Sequence, residues 1–463
     1  MNTVTTRRLA DEGPLLSSPR PPSPAVEVWR IAWPSVVTFG LMTTNSILDR
    51  AFVGTLGRDA LAAVGVGGQV LFLLVSLSMA ITAGTTAIVA RYVGAQEPER
   101  AARATGQSAA LGLLIGAACT ALVYLGLGWF LRAVGIEPEA RAEAREFLSA
   151  ALIGMVPMFV GNVLNAAFRG LGDTRTPMKV MVAANLVHVV GDWTLMLGHW
   201  GAPRLGLRGG GIALSGSNVV ALAAYVLLLR RSMLRDALVA RHVRLTQEWT
   251  RRILRIGIPA AITAMLRTTS LMGFTGVLAR TAEGTNAVAA LPIGLTAESI
   301  AFMPGFGFSV AASALVGQAL GARDPDRAER CGWAAAWQGV AIMTAMGAVF
   351  FLAAEPFAAV FTHDPRVLPL AVSYLRIMAI SEPMLAFGMV LTGALQGAGD
   401  TVRPSVLTAL TFWGFRLPAA YALALALDYN TAGAWVAMAA TTFVGGALTI
   451  QLFRDGRWKR ISV

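Results

Sequence analysis

Gly94-Ala95-Gln96-Glu97-Pro98 recurs as Gly321-Ala322-Arg323-Asp324-Pro325, and Gly170-Leu171-Gly172-Asp173-Thr174 recurs as Gly397-Ala398-Gly399-Asp400-Thr401, both at an offset of 227. Glu137-Pro138 returns at the same offset as Asp364-Pro365, and Pro177 as Pro404. Near the start, Arg30-Ile31-Ala32-Trp33-Pro34 matches Arg255-Ile256-Gly257-Ile258-Pro259 at 225. Matches kept in register across half a chain mark an internal duplication. Between them lie apolar runs at about 31–56, 61–90, 104–131, 146–169, 177–198 and 209–230, and again at 253–279, 286–318, 332–353, 370–396, 404–427 and 431–453. Each is near or above the ~20 residues that a helix needs to cross a bilayer. Six spans per half is an even number, so both halves enter from the same side. The repeats are therefore parallel, with a cavity expected between them, the architecture of secondary transporters. The fold class is an all-α integral membrane protein of twelve transmembrane helices in two parallel six-helix repeats.

Composition excludes the soluble classes. Of the 463 residues, 55% come from AVILMFWYC and 14% are charged, where about a quarter would be usual. One water-soluble core cannot hide that much apolar surface. The net charge of +12 resolves into topology once the basic residues are placed: of 38 Lys and Arg, 26 fall in the loops and tails on the side of the termini. That bias places both ends in the cytoplasm of a multi-pass protein of the inner (cytoplasmic) membrane. The eight Arg between Arg230 and Arg255 read as a linker joining two halves, and no nucleic-acid partner is expected. The expected divisions are a disordered tail at 1–28, a six-helix lobe at 29–230, a basic linker at 231–252, a second lobe at 253–453 and a basic tail at 454–463. Cys119 and Cys331 read as small buried hydrophobes. Pro34, Pro157, Pro259, Pro292, Pro304, Pro383 and Pro418 are kink sites, with Pro34 a candidate hinge.

Ionisable groups inside membrane helices are costly and mark ion or substrate pathways by default. Here they are Asp49, Asp192, Glu298 and Glu382, the bases Arg50, Arg267 and Arg416, and His188. None has a like-charged counterpart in the other half; Asp192 maps to Ala419 and Arg267 to Met42. The scaffold was duplicated and the charges were not. At 1.5 Å per residue, Asp49 lies about 12 Å from Gly57 and Asp192 about 9 Å from Gly198, so the two acids share a depth. Thr38, Asn45 and Asp49 lie at helical spacing, as do Asn185, His188 and Asp192. Two carboxylates facing each other in a low dielectric do not both ionise freely, which suits a reversible proton site. Interhelical hydrogen bonding is the bland alternative. In the second half, Glu298 and Glu382 read either as partners of Arg267 and Arg416 in buried ion pairs or as cavity residues for a cationic substrate. An Arg in the cavity would select an anion instead. Met79, Phe302, Met303, Met384, Phe387 and Trp413 are candidates for an adaptable cavity wall.

The chain resembles the multidrug and toxic compound extrusion (MATE) family, in its DinF-like branch. The resemblance rests on Pro34 to Gly57 (ending Leu48-Asp49-Arg50-Ala51-Phe52-Val53-Gly54-Thr55-Leu56-Gly57), Phe302 to Ala322 and the two Gly-Asp-Thr loops. It implies cation-coupled antiport of organic molecules through a V-shaped pair of six-helix lobes. Asp49 and Asp192 fall on the family's acidic positions of helices 1 and 5. His188 falls where the family usually has Asn, and Leu214 or Ser215 stands where it has Thr on helix 6. The family branch with a Glu on helix 7 is not matched; Arg267 lies near that position.

The expected cation site is Asp49, Asp192, His188, Asn45, Asn185 and Ser215, and the expected substrate residues are Glu298, Glu382, Arg267, Arg416, Met303 and Phe302. No enzyme activity, metal or organic cofactor is expected, only H⁺ or Na⁺ as coupling ion. An imidazole such as that of His188 is a side chain able to carry a proton, and Arg50 beside Asp49 opposes a metal ion, so H⁺ is preferred. Function is read as proton-coupled export of small organic, chiefly cationic, molecules by a monomer among membrane lipids. A Na⁺-coupled exporter and a flippase for lipid-linked or polysaccharide precursors are the alternatives.

Overall fold

The computed structural model describes residues 23–461, so the part of the expected tail at 1–22 lies outside the described residues. Twelve spans follow in order. They are α1 (Pro24–Gly54), α2 (Arg58–Gly94), α3 (Pro98–Ala133), α4 (Pro138–Ile153 with Met155–Gly170), α5 (Arg175–Gly191) and α6 (Leu207–Leu229), then α7 (Gln247–Leu278), α8 (Gly284–Gly321), α9 (Pro325–Leu352), α10 (Leu368–Gly397), α11 (Val402–Ala426) and α12 (Asn430–Arg454). Eight of them are individually long and apolar enough to cross a membrane, and α4 joins them when its two segments, bent by 47°, count as one span. The three that fall short are α1, α5 and α7. They carry Asp49, His188 and Arg267. Polar residues lower the hydropathy of α1 and α7, and α5 falls short in length because its regular helix stops before Asp192. The features that weaken these spans are thus those that mark a function.

The duplication is visible in the backbone. Gln96 and Arg323 both adopt left-handed φ, at 58° and 60°, and Gly172 and Gly399 do so at 78° and 87°. The loops therefore repeat as conformations as well as letters. Pro98 and Pro325 open α3 and α9 at the first helical turn, where a missing N–H costs nothing.

The first helix of each half crosses to the other. Val28, Ile31 and Ala32 at the start of α1 bury among Phe308, Ala312 and Leu315 of α8. Trp249, Ile253 and Ile256 of α7 bury with Ile81 and Ile88 of α2. Glycines permit the approach: a Cβ on Gly257 would run into the carbonyl of Ala80, and one on Gly94 into that of Gln318. The polar ties lie at the same end. Arg327 pairs with Glu27 at 3.0 Å, Gln318 Nε2 donates to the Gly170 carbonyl at 2.9 Å, and Arg91 donates to the carbonyls of Ala398 and Ile461. Among the described residues, every hydrogen bond and ion pair between the halves lies at this end, which carries both chain ends. The molecule is closed at its terminal face.

The described part of the expected disordered tail, the linker and the basic C-terminal segment are all docked. Pro24–Val28 is helical rather than tail, because Pro24 starts α1 and Val28 packs into the second half. The linker is pinned by buried Gln107, which donates to the His242 and Arg244 carbonyls and accepts from Thr246 N. Near the C-terminus, Trp458 is fully buried, stacked on Phe453 at 4.7 Å and donating to its carbonyl, while Lys459 pairs with Glu329 at 2.6 Å. Trp458→Ala should cost about 3 kcal/mol by the cavity it leaves. Thermal unfolding and trypsin cleavage after Arg454 check this; an unchanged melting temperature and cleavage rate would show the dock to be dispensable. Cys331 is buried and Cys119 half-buried, both as free thiols.

Candidate functional site

α1 and α5 lie side by side and bring their polar stripes together. Asp49, His188 and Asp192 form a cluster whose ligand atoms lie within 4.8 Å of one another. His188 Nδ1 lies 2.9 Å from Asn45 Nδ2 and 4.0 Å from Asp49 Oδ1. Its Nε2 lies 3.6 Å from Asp192 Oδ2. Asn45 Nδ2 also donates to Asp49 Oδ2 at 3.4 Å. An amide N–H facing Nδ1 makes that nitrogen an acceptor, so the neutral ring carries its proton on Nε2, toward Asp192. Asp192 is 1% exposed and neither carboxylate oxygen has a hydrogen-bond partner.

Backbone geometry sets this position. α5 leaves the α-helical path at Asp192 and continues as a π-helical turn to Met196, a distortion frequent at functional sites. Gly210 of α6 meets this turn without a side chain, leaving room beside the Asp192 carboxylate. A cavity of ≈ 370 Å³ inside the first half is lined by Asn45, Asn162, Asn185, His188 and Tyr225, among others, but not by Asp192. His188 therefore stands between the cavity and the buried acid. A second cavity of ≈ 300 Å³ lies between the halves, bounded by Phe39, Met79 and Arg169 on one side and Ala260, Ser309 and Gln396 on the other.

The MatE family model matches residues 34–194 and, separately, 259–422. The chain belongs to the MatE family. The two matched stretches are the two repeats. Curated relatives include the probable multidrug resistance protein NorM of Thermotoga maritima, 29% identical and covering 94% of each chain. The multidrug resistance protein NorM of Burkholderia vietnamiensis is 30% identical and covers 90% of each. A solved structure described as MATE in the straight conformation superposes with a TM-score of 0.87 at 25% identity, covering 94% of this chain and 96% of that one. The chain is a multi-pass membrane transporter of this multidrug-efflux family, not an enzyme, with twelve transmembrane helices in two repeats.

In this MatE transporter the expected cation residues divide. Asp49, Asp192, His188 and Asn45 come together. Asn185 is one turn away, donating to the Leu41 carbonyl at 3.1 Å and lining the cavity. Ser215 does not join them. Its hydroxyl donates to the Ala150 carbonyl at 2.6 Å and accepts from Gly154 N at 2.9 Å, which stabilises the break in α4. Arg50 is exposed and makes no ion pair with Asp49, because adjacent residues on a helix point about 100° apart. Its positive charge is thus a weaker argument against a metal ion than adjacency suggested. Pro34 is buried inside α1, which passes through it unbroken, and Thr38 donates to the Pro34 carbonyl at 2.8 Å.

The second half departs from both expectations for its charges. Among the described residues, no carboxylate lies within 4.0 Å of Arg267 or Arg416, so the proposed ion pairs do not form. Instead Arg416 donates to Thr441 Oγ1 at 3.1 Å and Thr442 Oγ1 at 3.2 Å. Glu298 and Glu382 are buried, each with a carboxylate oxygen that lacks a partner. An inner cavity of this half, ≈ 70 Å³, is lined by Arg267 and Arg416 and by neither acid. Phe302 packs against Met343, Ala386 and Met389, and Met303 is half-buried. Of the candidate wall residues, Met79 and Met384 line cavities, Phe387 is in the core and Trp413 is exposed, donating to the Leu266 carbonyl. Arg169 was hidden from sequence reading by its place at the end of an apolar run, where it counts as a loop charge.

Proposed function

We propose that this protein is a proton-coupled antiporter of the inner membrane, with both termini cytoplasmic, seen here open to the outside. The orientation is supported by the concentration of Lys and Arg at the terminal face, and the outward opening by the ties that close that face. The single observation carrying the coupling is the Asp49–His188–Asp192 cluster, reached from the cavity through His188. Two carboxylates in so small a buried space repel each other unless a cation is held between them. A proton suits this donor set best. His188 supplies nitrogen where a hard alkali cation prefers oxygen, and its imidazole, oriented by Asn45, can pass a proton between cavity and Asp192.

In the cycle that follows, protonation neutralises the cluster and removes the repulsion across α1 and α5. Loss of the proton restores it, so the packing of α1 differs between the two states. Because α1 also crosses into the second half, that difference is felt at the seam between the lobes. A substrate that binds one state better is then exchanged for the proton by linkage.

Purified protein in liposomes should export substrate under an imposed pH gradient without Na⁺. A requirement for a Na⁺ gradient, with indifference to collapse of the pH gradient, would replace the proton by Na⁺. Movement of lipid-linked precursors in place of soluble substrates would support the flippase instead. The cationic substrate class expected from Glu298 and Glu382 loses its basis, since neither lines the cavities described.

A further inference from the structure

We propose that the cavity of the second half is an anion-binding site, taking a carboxylate, sulfonate or phosphate group of an organic substrate. The inference rests on the antiporter reading for its setting, but not on the identity of the coupling ion. The cavity runs along α7, α10, α11 and α12, and its charged lining residues are Arg267 and Arg416. Arg416 is 8% exposed, and its head is aimed by Thr441 and Thr442. Both guanidinium groups sit over the Phe412 ring, with Cζ at 4.1 Å for Arg416 and 5.7 Å for Arg267. Phe412 and Arg416, four residues apart on the π-helical stretch Leu410–Arg416, face the same space.

Two guanidiniums sharing one ring repel each other, and arginine stays charged in proteins. Buried cations are normally paired, yet no carboxylate contacts either one within 4.0 Å; Glu298 attracts Arg416 only through space and does not line the cavity. The Arg267 Nε is buried without a partner, as is the Thr411 hydroxyl on the same cavity wall. The positive charge and the unpartnered donors converge on one space, and an anion supplies what both lack. Gly445 and Gly446 leave the α12 side of the space without bulk. At ≈ 70 Å³ the cavity admits one compact acidic group and not a whole drug-sized molecule, so the remainder of the ligand extends from it.

The cavity between the halves agrees in sign. Its charged lining residue is Arg169, whose guanidinium lies over Phe39 at 5.6 Å, and no acid lines it. A substrate crossing the molecule meets arginine in both places. Organic anions or zwitterions fit this lining, and simple cations do not.

The test is equilibrium binding of carboxyfluorescein, with rhodamine 6G as the cationic control, to the detergent-purified full chain without any gradient. Wild type should bind the anion. Arg416→Gln and Arg267→Met should each weaken that binding about ten-fold or more, as expected for a lost charge-assisted contact. Rhodamine 6G, which gains nothing from the lining arginines, should bind only weakly to wild type and no more weakly to either variant. Arg416→Lys should retain part of the affinity. Where Arg416→Gln does not fold, Arg267→Met decides alone, since Arg267 makes no hydrogen bond that the fold would lose. Failure of wild type to bind the anion, or equal anion affinity in wild type and Arg267→Met, overturns the proposal. Arg267→Met should weaken carboxyfluorescein binding in the Asp49→Asn background as it does in wild type, so failure of the coupling reading and failure of this site are distinguishable.

Discussion

Asp49→Asn should abolish concentrative export while leaving the protein folded and able to bind substrate. Asp49 is the more accessible of the two acids, with its side chain 33% exposed, against 1% for Asp192. An amide of the same shape keeps the Asn45 contact available and removes the charge that must be neutralised in each cycle. Without a second carboxylate, the repulsion that links proton occupancy to the packing of α1 is gone. The substrate ratio across the membrane should then fall to about one, as for any carrier with no coupling free energy. A mutant that still concentrates substrate at the parental rate would make Asp49 structural. Asp192→Asn should lose coupling too. Because Asp192 sits on the π-helical turn beside Gly210, its loss also tests whether that turn persists without the charge.

Gly257→Val should disable transport by a different route. Gly257 meets the Ala80 carbonyl where α7 crosses α2, and no side chain fits between them. Overpacking at such a contact costs about 1–3 kcal/mol. The clash is relieved by parting the halves at the terminal face, so the cost falls on this state and not on one open at that face. At the upper end, the balance between the two states moves by about a hundred-fold. Spin labels at positions 97 and 323, in the two turns that carry left-handed residues, should report a longer distance in the variant. Export should fall with it. An unchanged distance distribution with normal export would show that the seam at Gly257 yields easily.

Much of the fold was legible because hydropathy and repetition are properties of the chain itself. The twelve spans match the apolar runs, and the repeated Gly-Asp-Thr loops recur with the same backbone. The approach of Asp49, His188 and Asp192 was legible as well, since depth and helical spacing both follow from residue number. Direction around a helix was not. Glu298, Glu382, Arg267 and Arg416 share a depth, and depth alone suggests pairs. The π-helical turns of α11 shift the phase on which Arg416 points, so a 3.6-residue count misplaces it. Ser215 was misread for a related reason: its place near the family's helix 6 position says nothing of the broken α4 whose carbonyls it satisfies. The helical start at Pro24–Val28 was missed because composition shows few apolar residues there, whereas Val28 alone packs it into the second half.

Counting protons tests the central claim most directly. Liposomes containing the transporter and a pH-sensitive dye, with no other ion gradient, are given a substrate gradient alone. The account predicts that wild type moves protons opposite to the substrate, that external Na⁺ makes no difference, and that Asp49→Asn moves none. Proton movement at the wild-type rate in Asp49→Asn, or substrate exchange in wild type with no proton movement, would contradict it.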